Sequence, residues 1–372
     1  MRTVNRLIQM LLVAVLVFGL AACNEKQEQQ EQVTEAPKVE KEKIIWKLAM
    51  TWPANTPILS EAVTKMAEDV KRMSDGELEI RIDSANKHKA PFGVLDMVKA
   101  GQYEMGNSAS YYWKGKDINT MFFTSMPFGM IAPEQYAWFY YGGGIELMKK
   151  VYDQHGVYAF PGGNTSNQMG GWFRKEITSL DDLNGLKMRI PGFAGEVISK
   201  LGTVVTNIPP GELYTALDRG TIDALEWIGP SLDLNMGFHK VAPYYYTGWH
   251  EPASEMQFLV NQQKFDELPP HLQAILTNAM QLAAYDMYAH MIDVSAKNWA
   301  TIQQDYPDVK LRTFPKEVIA KLKEENIKLL DEQAEKNELF KEILTSQRDY
   351  LKKVREWTRI SDYAYLKDNI EE

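Results

Sequence analysis

Beginning at Ile44, the apolar residues change their spacing from that of a strand to that of a helix and back again. Trp46, Leu48, Met50 and Trp52 share one face of a strand. Leu59, Ala62, Val63, Met66, Ala67 and Val70 then recur at helical spacing, Asp75-Gly76 supplies a turn, and Leu78-Glu79-Ile80-Arg81-Ile82 alternates once more. Strand, helix and strand in that order predict a βαβ unit, and so an α/β protein with much parallel sheet.

A second feature suggests that the unit recurs. Leu95-Asp96-Met97-Val98-Lys99-Ala100-Gly101-Gln102-Tyr103-Glu104-Met105 and Ala216-Leu217-Asp218-Arg219-Gly220-Thr221-Ile222-Asp223-Ala224-Leu225 both read as helix, glycine stop and strand. A common helix-to-strand corner accounts for the echo as well as duplication does. The chain of 372 residues, 45% of them apolar, is nevertheless long for one core, and two lobes of related architecture fit it.

The N-terminus reads as an export signal. Arg2 and Arg6 precede the apolar run Leu7 to Leu20, which is shorter than the roughly 20 residues that a bilayer requires of a spanning helix. Leu20-Ala21-Ala22-Cys23 follows, and Cys23 is the one cysteine in the chain. A lone thiol excludes an internal disulfide, and its place after small residues predicts a lipidated N-terminus after cleavage of residues 1–22. Residues 23–43, from Asn24-Glu25-Lys26-Gln27 onward, are too polar to bury a core and read as a disordered tether. The expected location is the periplasm or the cell surface, lipid-anchored to a membrane. The net charge of −9 becomes more negative once Arg2 and Arg6 are removed, which disfavours nucleic acid as a partner.

Two stretches carry candidate binding chemistry. Gly142-Gly143-Gly144 and Pro161-Gly162-Gly163-Asn164-Thr165-Ser166-Asn167-Gln168-Met169-Gly170-Gly171-Trp172-Phe173 combine glycines, which permit close backbone approach, with neutral hydrogen-bonding side chains. They suit either a ligand loop or a plain crossing between lobes. In Leu186-Lys187-Met188-Arg189-Ile190-Pro191-Gly192 the apolar residues alternate with Lys187 and Arg189, placing Arg189 at the end of a strand. Ligands of open α/β sheets bind beyond the carboxyl ends of strands, where a guanidinium can grip a carboxylate through two parallel hydrogen bonds. A solvent-facing arginine in a local ion pair is the plainer alternative.

Leu186 to Gly192, Pro209-Pro210-Gly211-Glu212-Leu213-Tyr214, Gly220-Thr221-Ile222-Asp223-Ala224-Leu225-Glu226-Trp227 and Gly248-Trp249-His250-Glu251-Pro252 together resemble the substrate-binding subunits of TRAP transporters. The resemblance extends over nearly all of residues 44–366 and is strongest with the DctP-type branch that binds 2-oxo monocarboxylates together with a metal cation. It implies a two-lobe periplasmic binding protein fold with a hinge, a ligand cleft between the lobes and long C-terminal helices. Lobe 1 is expected over 44–163, completed by about 254–305, and lobe 2 over 164–253, completed by about 306–345. By the same resemblance Arg189 holds the substrate carboxylate and Gln168 hydrogen-bonds the substrate. Glu226, the Trp227 carbonyl and Glu251 hold the cation, and Trp227 also contacts the substrate. Oxygen ligands suit Na⁺ or Ca²⁺, and the carboxylate and 2-oxo oxygens of the substrate can complete the shell. Tyr111, Tyr112 and Trp113 are candidates for an aromatic wall or for packing.

Each residue also has a plainer role: Glu226 as a helix cap, Glu251 paired with His250 or a lysine, Trp227 in the core. An acid/base cluster of Glu226, Glu251 and His250 would make an enzyme, yet no nucleophile elbow, P-loop, dinucleotide fingerprint or His-Glu-x-x-His motif accompanies it, and the reading is non-enzymatic. The remaining alternatives are a C4-dicarboxylate as ligand and a membrane sensor in place of the TRAP permease subunits as partner. From about Lys316 through Trp357 the chain reads as charged helices, and the resemblance implies that the C-terminal helix, 346–372, is exchanged in a homodimer.

Overall fold

The computed structural model describes residues 42–370; the expected signal segment, Cys23 and nearly all of the tether lie outside them. From residue 43 to residue 370 the chain forms one compact unit built on two sheets. The first contains β1 (Ile44–Met50), β2 (Leu78–Asp83), β3 (Met105–Ser108), β4 (Val157–Asn164) and β10 (Glu255–Asn261), in the order β2-β1-β3-β10-β4. β1 runs parallel to β2 and β3, and β10 is antiparallel to β3 and β4. Helix α1 (Leu59–Met73) makes the crossover from β1 to β2 and buries Leu59, Ala62, Val63, Met66, Ala67 and Val70, the residues whose helical spacing predicts it.

The second sheet contains β5 (Gly171–Phe173), β6 (Lys187–Arg189), β7 (Val204–Thr206), β8 (Ala224–Leu225), β9 (Tyr244–Tyr246) and β11 (Lys310–Arg312), in the order β11-β9-β5-β8-β6-β7. Its helices include α4 (Gly192–Ser199), α5 (Leu213–Asp218) and α6 (Pro230–Met236), while α2 (Val94–Lys99) and α3 (Ala132–Tyr141) accompany the first sheet. The two echoed segments fold alike, one in each lobe. α2 leads through Gly101 (φ 67°) into β3, and α5 leads through Gly220 (φ 69°) into β8. Both glycines adopt the left-handed conformation that ends a helix without a Cβ clash.

Three long helices tie the lobes together. The 36-residue α7 (Pro270–Asp305), about 54 Å long at 1.5 Å per residue, packs on α1 and β4 of the first lobe and on α6 of the second. α8 (Lys316–Ala334) packs on α4, whereas α9 (Glu338–Ile360) returns to the first lobe. There the rings of Phe340 and Phe122 lie 4.5 Å apart, and the Trp138 indole N–H donates to the Ser346 hydroxyl at 3.1 Å. Position 346 thus lies inside a continuous helix, and residues 338–345 pack on the first lobe because Phe340, Ile343 and Leu344 are the face that α9 buries. A final helix, α10 (Asp362–Ile370), follows with no buried residues. No helix among the described residues is long and apolar enough to cross a membrane.

Candidate functional site

β6 and β8 run parallel with Arg189 opposite Leu225, so Arg189 and Glu226 emerge side by side at the carboxyl ends of neighbouring strands. The alternation that buries Met188 turns Arg189 to the other face, and that face is also closed: Arg189 has 0% exposure. Its Nη1 donates to the Glu226 carbonyl at 2.6 Å and to Glu226 Oε2 at 3.1 Å, and its guanidinium stands 5.5 Å from the centre of the Trp227 ring. Nε and Nη2 have no hydrogen-bond partner among the described residues. A buried planar cation with two unmatched donors can accept a carboxylate in fork geometry.

Two chain crossings between the lobes, residues 165–170 and 247–254, supply the opposite wall. The Gln168 N–H donates to the Glu251 carbonyl at 2.9 Å, and the Thr165 N–H donates to the Ser254 carbonyl at 3.0 Å. Gly248 permits this contact, because a Cβ there would lie 1.9 Å from the Gln168 carbonyl oxygen. The crossings bring Gln168 and Glu251, predicted from separate motifs, to one place. The Gln168 side-chain amide N–H donates to Thr165 Oγ1 at 2.9 Å, and its Oε1 has no donor among the described residues. The Glu251 carboxylate accepts from the Ser254 hydroxyl.

Ligand atoms of Glu226, His250 and Glu251 all lie within 4.8 Å of one another, and His250 Nε2 is 3.5 Å from Glu226 Oε1. Burial pushes the Glu226 carboxyl up to about 8, with Arg189 opposing the rise and Asp233 adding to it. Burial also pushes Glu251 up to about 7, reinforced by Glu226, and it holds His250 down at about 4. Two buried carboxylates and a neutral imidazole facing one point are costly to ionise unless a cation compensates them. The donor set suits a cation. Glu226 Oε1 and the Trp227 carbonyl accept no hydrogen bond from any described residue, so hard oxygens are available from Glu226, Glu251 and Trp227.

An aromatic wall stands on the first-lobe side. The Trp52 ring is 6.3 Å from both Trp227 and Tyr112, and Tyr112 packs on Phe92 at 4.6 Å and on Tyr111 at 4.8 Å. The Tyr112 hydroxyl is buried without a hydrogen-bond partner among the described residues. Trp113 instead points into the core, where its indole N–H donates to the Tyr152 hydroxyl at 3.3 Å. The glycine-rich stretch is mostly structural. Gly142 to Gly144 join two helices, and Gly162 and Gly163 belong to β4, where a Cβ on Gly163 (φ 131°) would strike Met287 of α7 at 2.1 Å. Of that stretch, Thr165 and Gln168 reach the site through their contacts with each other, Ser254 and Glu251, and Gly171 lies against the Glu226 backbone. Ser254 joins the site without having been singled out, while His250 and Tyr112, raised as a partner of Glu251 and as part of an aromatic wall, both turn into it. The one sequence signal for Ser254 is proximity to Glu251, because what buries it comes from distant segments.

Two lobes joined by paired crossings, with a buried polar site at the carboxyl ends of strands where they meet, define a solute-binding protein that encloses its ligand. Residues 48–337 match the family model DctP, bacterial extracellular solute-binding protein, family 7. The chain belongs to this family of TRAP solute-binding proteins. It is 38% identical over 321 residues to the monocarboxylate 2-oxoacid-binding periplasmic protein of Nostoc sp., covering 86% of this chain and 87% of that one. A TRAP periplasmic solute-binding protein of Colwellia psychrerythraea, solved with bound calcium and pyruvate, superimposes with a TM-score of 0.87 at 63% identity over 88% of this chain and 100% of its own. One from Pseudoalteromonas atlantica, with bound sodium and pyruvate, gives 0.87 at 62% over 88% and 99%. A third, from Bordetella bronchiseptica, a mixed-occupancy dimer with calcium and picolinate in its occupied site, gives 0.86 at 34% over 89% and 98%.

Proposed function

We propose that this protein captures a small 2-oxo monocarboxylate of the size of pyruvate, as a chelate of Na⁺ or Ca²⁺, and presents it to TRAP permease subunits in the membrane. The observation that carries the reading is the convergence of unsatisfied buried atoms. Arg189 Nε and Nη2 face a carboxylate's needs, while Glu226 Oε1, with the Trp227 carbonyl, faces a cation's. The Arg189 fork takes the substrate carboxylate, and Gln168 and the Trp227 ring bound the substrate. Glu226, Glu251 and the Trp227 carbonyl hold the cation, which the substrate's carboxylate and 2-oxo oxygens then complete. The relatives solved with pyruvate and calcium or sodium support this ligand pair. The donor set also suits a 2-hydroxy acid, whose hydroxyl chelates in the same way.

Capture proceeds by closure of the lobes about the two crossings. An ion pair between Lys114 of the first lobe and Glu196 of α4, at 2.5 Å, is the kind of contact that only the closed form makes. We assign a binding role and no catalysis, on the strength of the family match. The expected lipid anchor at Cys23 would tether the domain to a membrane facing the periplasm or the cell exterior. A homodimer through the C-terminal helices is supported by Trp357, Ile360, Tyr365 and Ile370, which α9 and α10 leave exposed.

Calorimetric titration of ligand-stripped protein tests the assignment, using pyruvate, longer 2-oxo acids, lactate and succinate, each with Na⁺, Ca²⁺ or chelator. The expected result is cation-dependent 2-oxo-acid binding that disappears in Arg189→Ala and Glu226→Gln. Preference for succinate, or binding indifferent to cation and to both substitutions, would overturn the ligand chemistry.

A further inference from the structure

Asp233 lies at the start of α6, away from the wall that faces the ligand, and is 1% exposed. Four donors converge on its carboxylate. Oδ2 accepts from the Trp172 indole N–H and the Tyr245 hydroxyl, both at 2.9 Å, and the Trp172 and Tyr245 rings are stacked 3.9 Å apart. Oδ1 accepts from the backbone N–H of Ile228 at 3.2 Å and of Gly229 at 3.0 Å. The first of these has a consequence at the site. In a planar trans peptide the carbonyl of one residue and the N–H of the next point in opposite directions, so a partner that holds the Ile228 N–H also aims the Trp227 carbonyl.

The neighbouring backbone is pinned by other means. The Glu226 carbonyl accepts from Arg189 Nη1 at 2.6 Å, the Ile228 carbonyl accepts from the Met169 N–H at 2.8 Å, and the Glu226 N–H donates to the Arg189 carbonyl at 3.0 Å. Between them the Trp227 carbonyl alone receives no donor from a described residue. A carboxylate on the N–H side of that peptide also polarises it, placing more negative charge on the carbonyl oxygen.

We propose that Asp233 is a positioning residue for the bound cation, acting through the 227–228 peptide to hold and polarise the Trp227 carbonyl as a ligand. The proposal rests on the reading of that carbonyl as a cation ligand. Outer partners of this kind typically change metal affinity by about 10–100-fold.

The test compares Asp233→Asn with Tyr245→Phe, which removes a different partner of the same carboxylate and leaves the peptide untouched. In Asp233→Asn, calcium affinity measured with pyruvate present falls about 10–100-fold, pyruvate affinity at saturating calcium changes less than about threefold, and amide exchange at Ile228 and Gly229 accelerates in the cation-free protein. In Tyr245→Phe the melting temperature falls and calcium affinity stays within about threefold of the parent. In the unmutated protein, calcium shifts the Ile228 amide proton downfield more than that of Gly229, a readout that survives if Asp233→Asn does not fold. The proposal is overturned if Asp233→Asn binds calcium normally, if both variants weaken it equally, or if the Ile228 amide does not respond. Pyruvate binding that needs no cation in the unmutated protein would instead remove the parent reading, and this one with it.

Discussion

Lowering the pH from 8 to 6 should release the cation, and the structure sets how steeply. The buried Glu226 and Glu251 carboxyls sit at about 8 and about 7 in the cation-free site, so both are substantially protonated below neutrality. A cation needs both ionised, and its binding must expel those protons. Between pH 8 and pH 6 protonation of Glu226 and Glu251 together weakens binding by about two to three orders of magnitude, roughly 3–4 kcal/mol. Two exposed carboxylates at an ordinary value near 4.3 would change the affinity by less than about a tenth over the same range. The assay is calcium titration with pyruvate present at pH 6, 7 and 8, repeated in buffers of different ionisation enthalpy to count protons. Between about one and two protons should leave per cation at pH 7, and fewer than about 0.5 in Glu226→Gln, which removes both that proton and the charge that helps raise Glu251, and whose residual binding is weaker. An affinity that is flat from pH 6 to 8, with no proton release, would refute the reasoning: the carboxylates would then already be ionised, or would not face the cation.

Arg189→Lys keeps the charge but loses the planar fork, and one charge-assisted hydrogen bond lost should cost about 1.5–3 kcal/mol of pyruvate binding, roughly 10–150-fold, by calorimetry. Glu255, which accepts from the Gly163 N–H and the Asn164 amide, is pushed up from 4.5 to about 7 by burial. The folded state therefore holds a proton that the unfolded chain gives up, so stability falls as pH rises from about 4.5 to about 7, by roughly 3 kcal/mol for this group, and Glu255→Gln should flatten that part of the melting profile. Trp357 and Ile360 are 66% and 71% exposed, so Trp357→Glu with Ile360→Glu should leave the melting temperature nearly unchanged and, if the proposed homodimer forms through this face, reduce the sedimentation mass from that of two chains to that of one; a parent that sediments as one chain, or a mass unmoved by the substitutions, would refute the proposal.

Much of the fold is legible because short-range geometry governs it. The period of Leu59 to Val70 makes α1 and selects its buried face, and Gly101 and Gly220 stop their helices because only glycine enters the left-handed region without strain. The site is less legible. The glycines at 162 and 163 look like ligand-loop residues, yet they make room for Phe258 and Met287, a requirement set by segments far along the chain. α9 shows its charged face in the sequence, but not that Phe340 closes on Phe122 of the first lobe.

By itself the sequence determined the α/β class, the strand that carries Arg189 and, through its motifs, the family. Only the tertiary structure decided that the far face of β6 is as dry as the near one and that His250 and Tyr112 turn into the same space. It also placed Asp233 behind the Trp227 peptide. Alternation along a strand tells which residues share a side but not what covers it. Burial, and the pKa values and unmatched hydrogen bonds that follow from it, depend on distant segments crossing at one point.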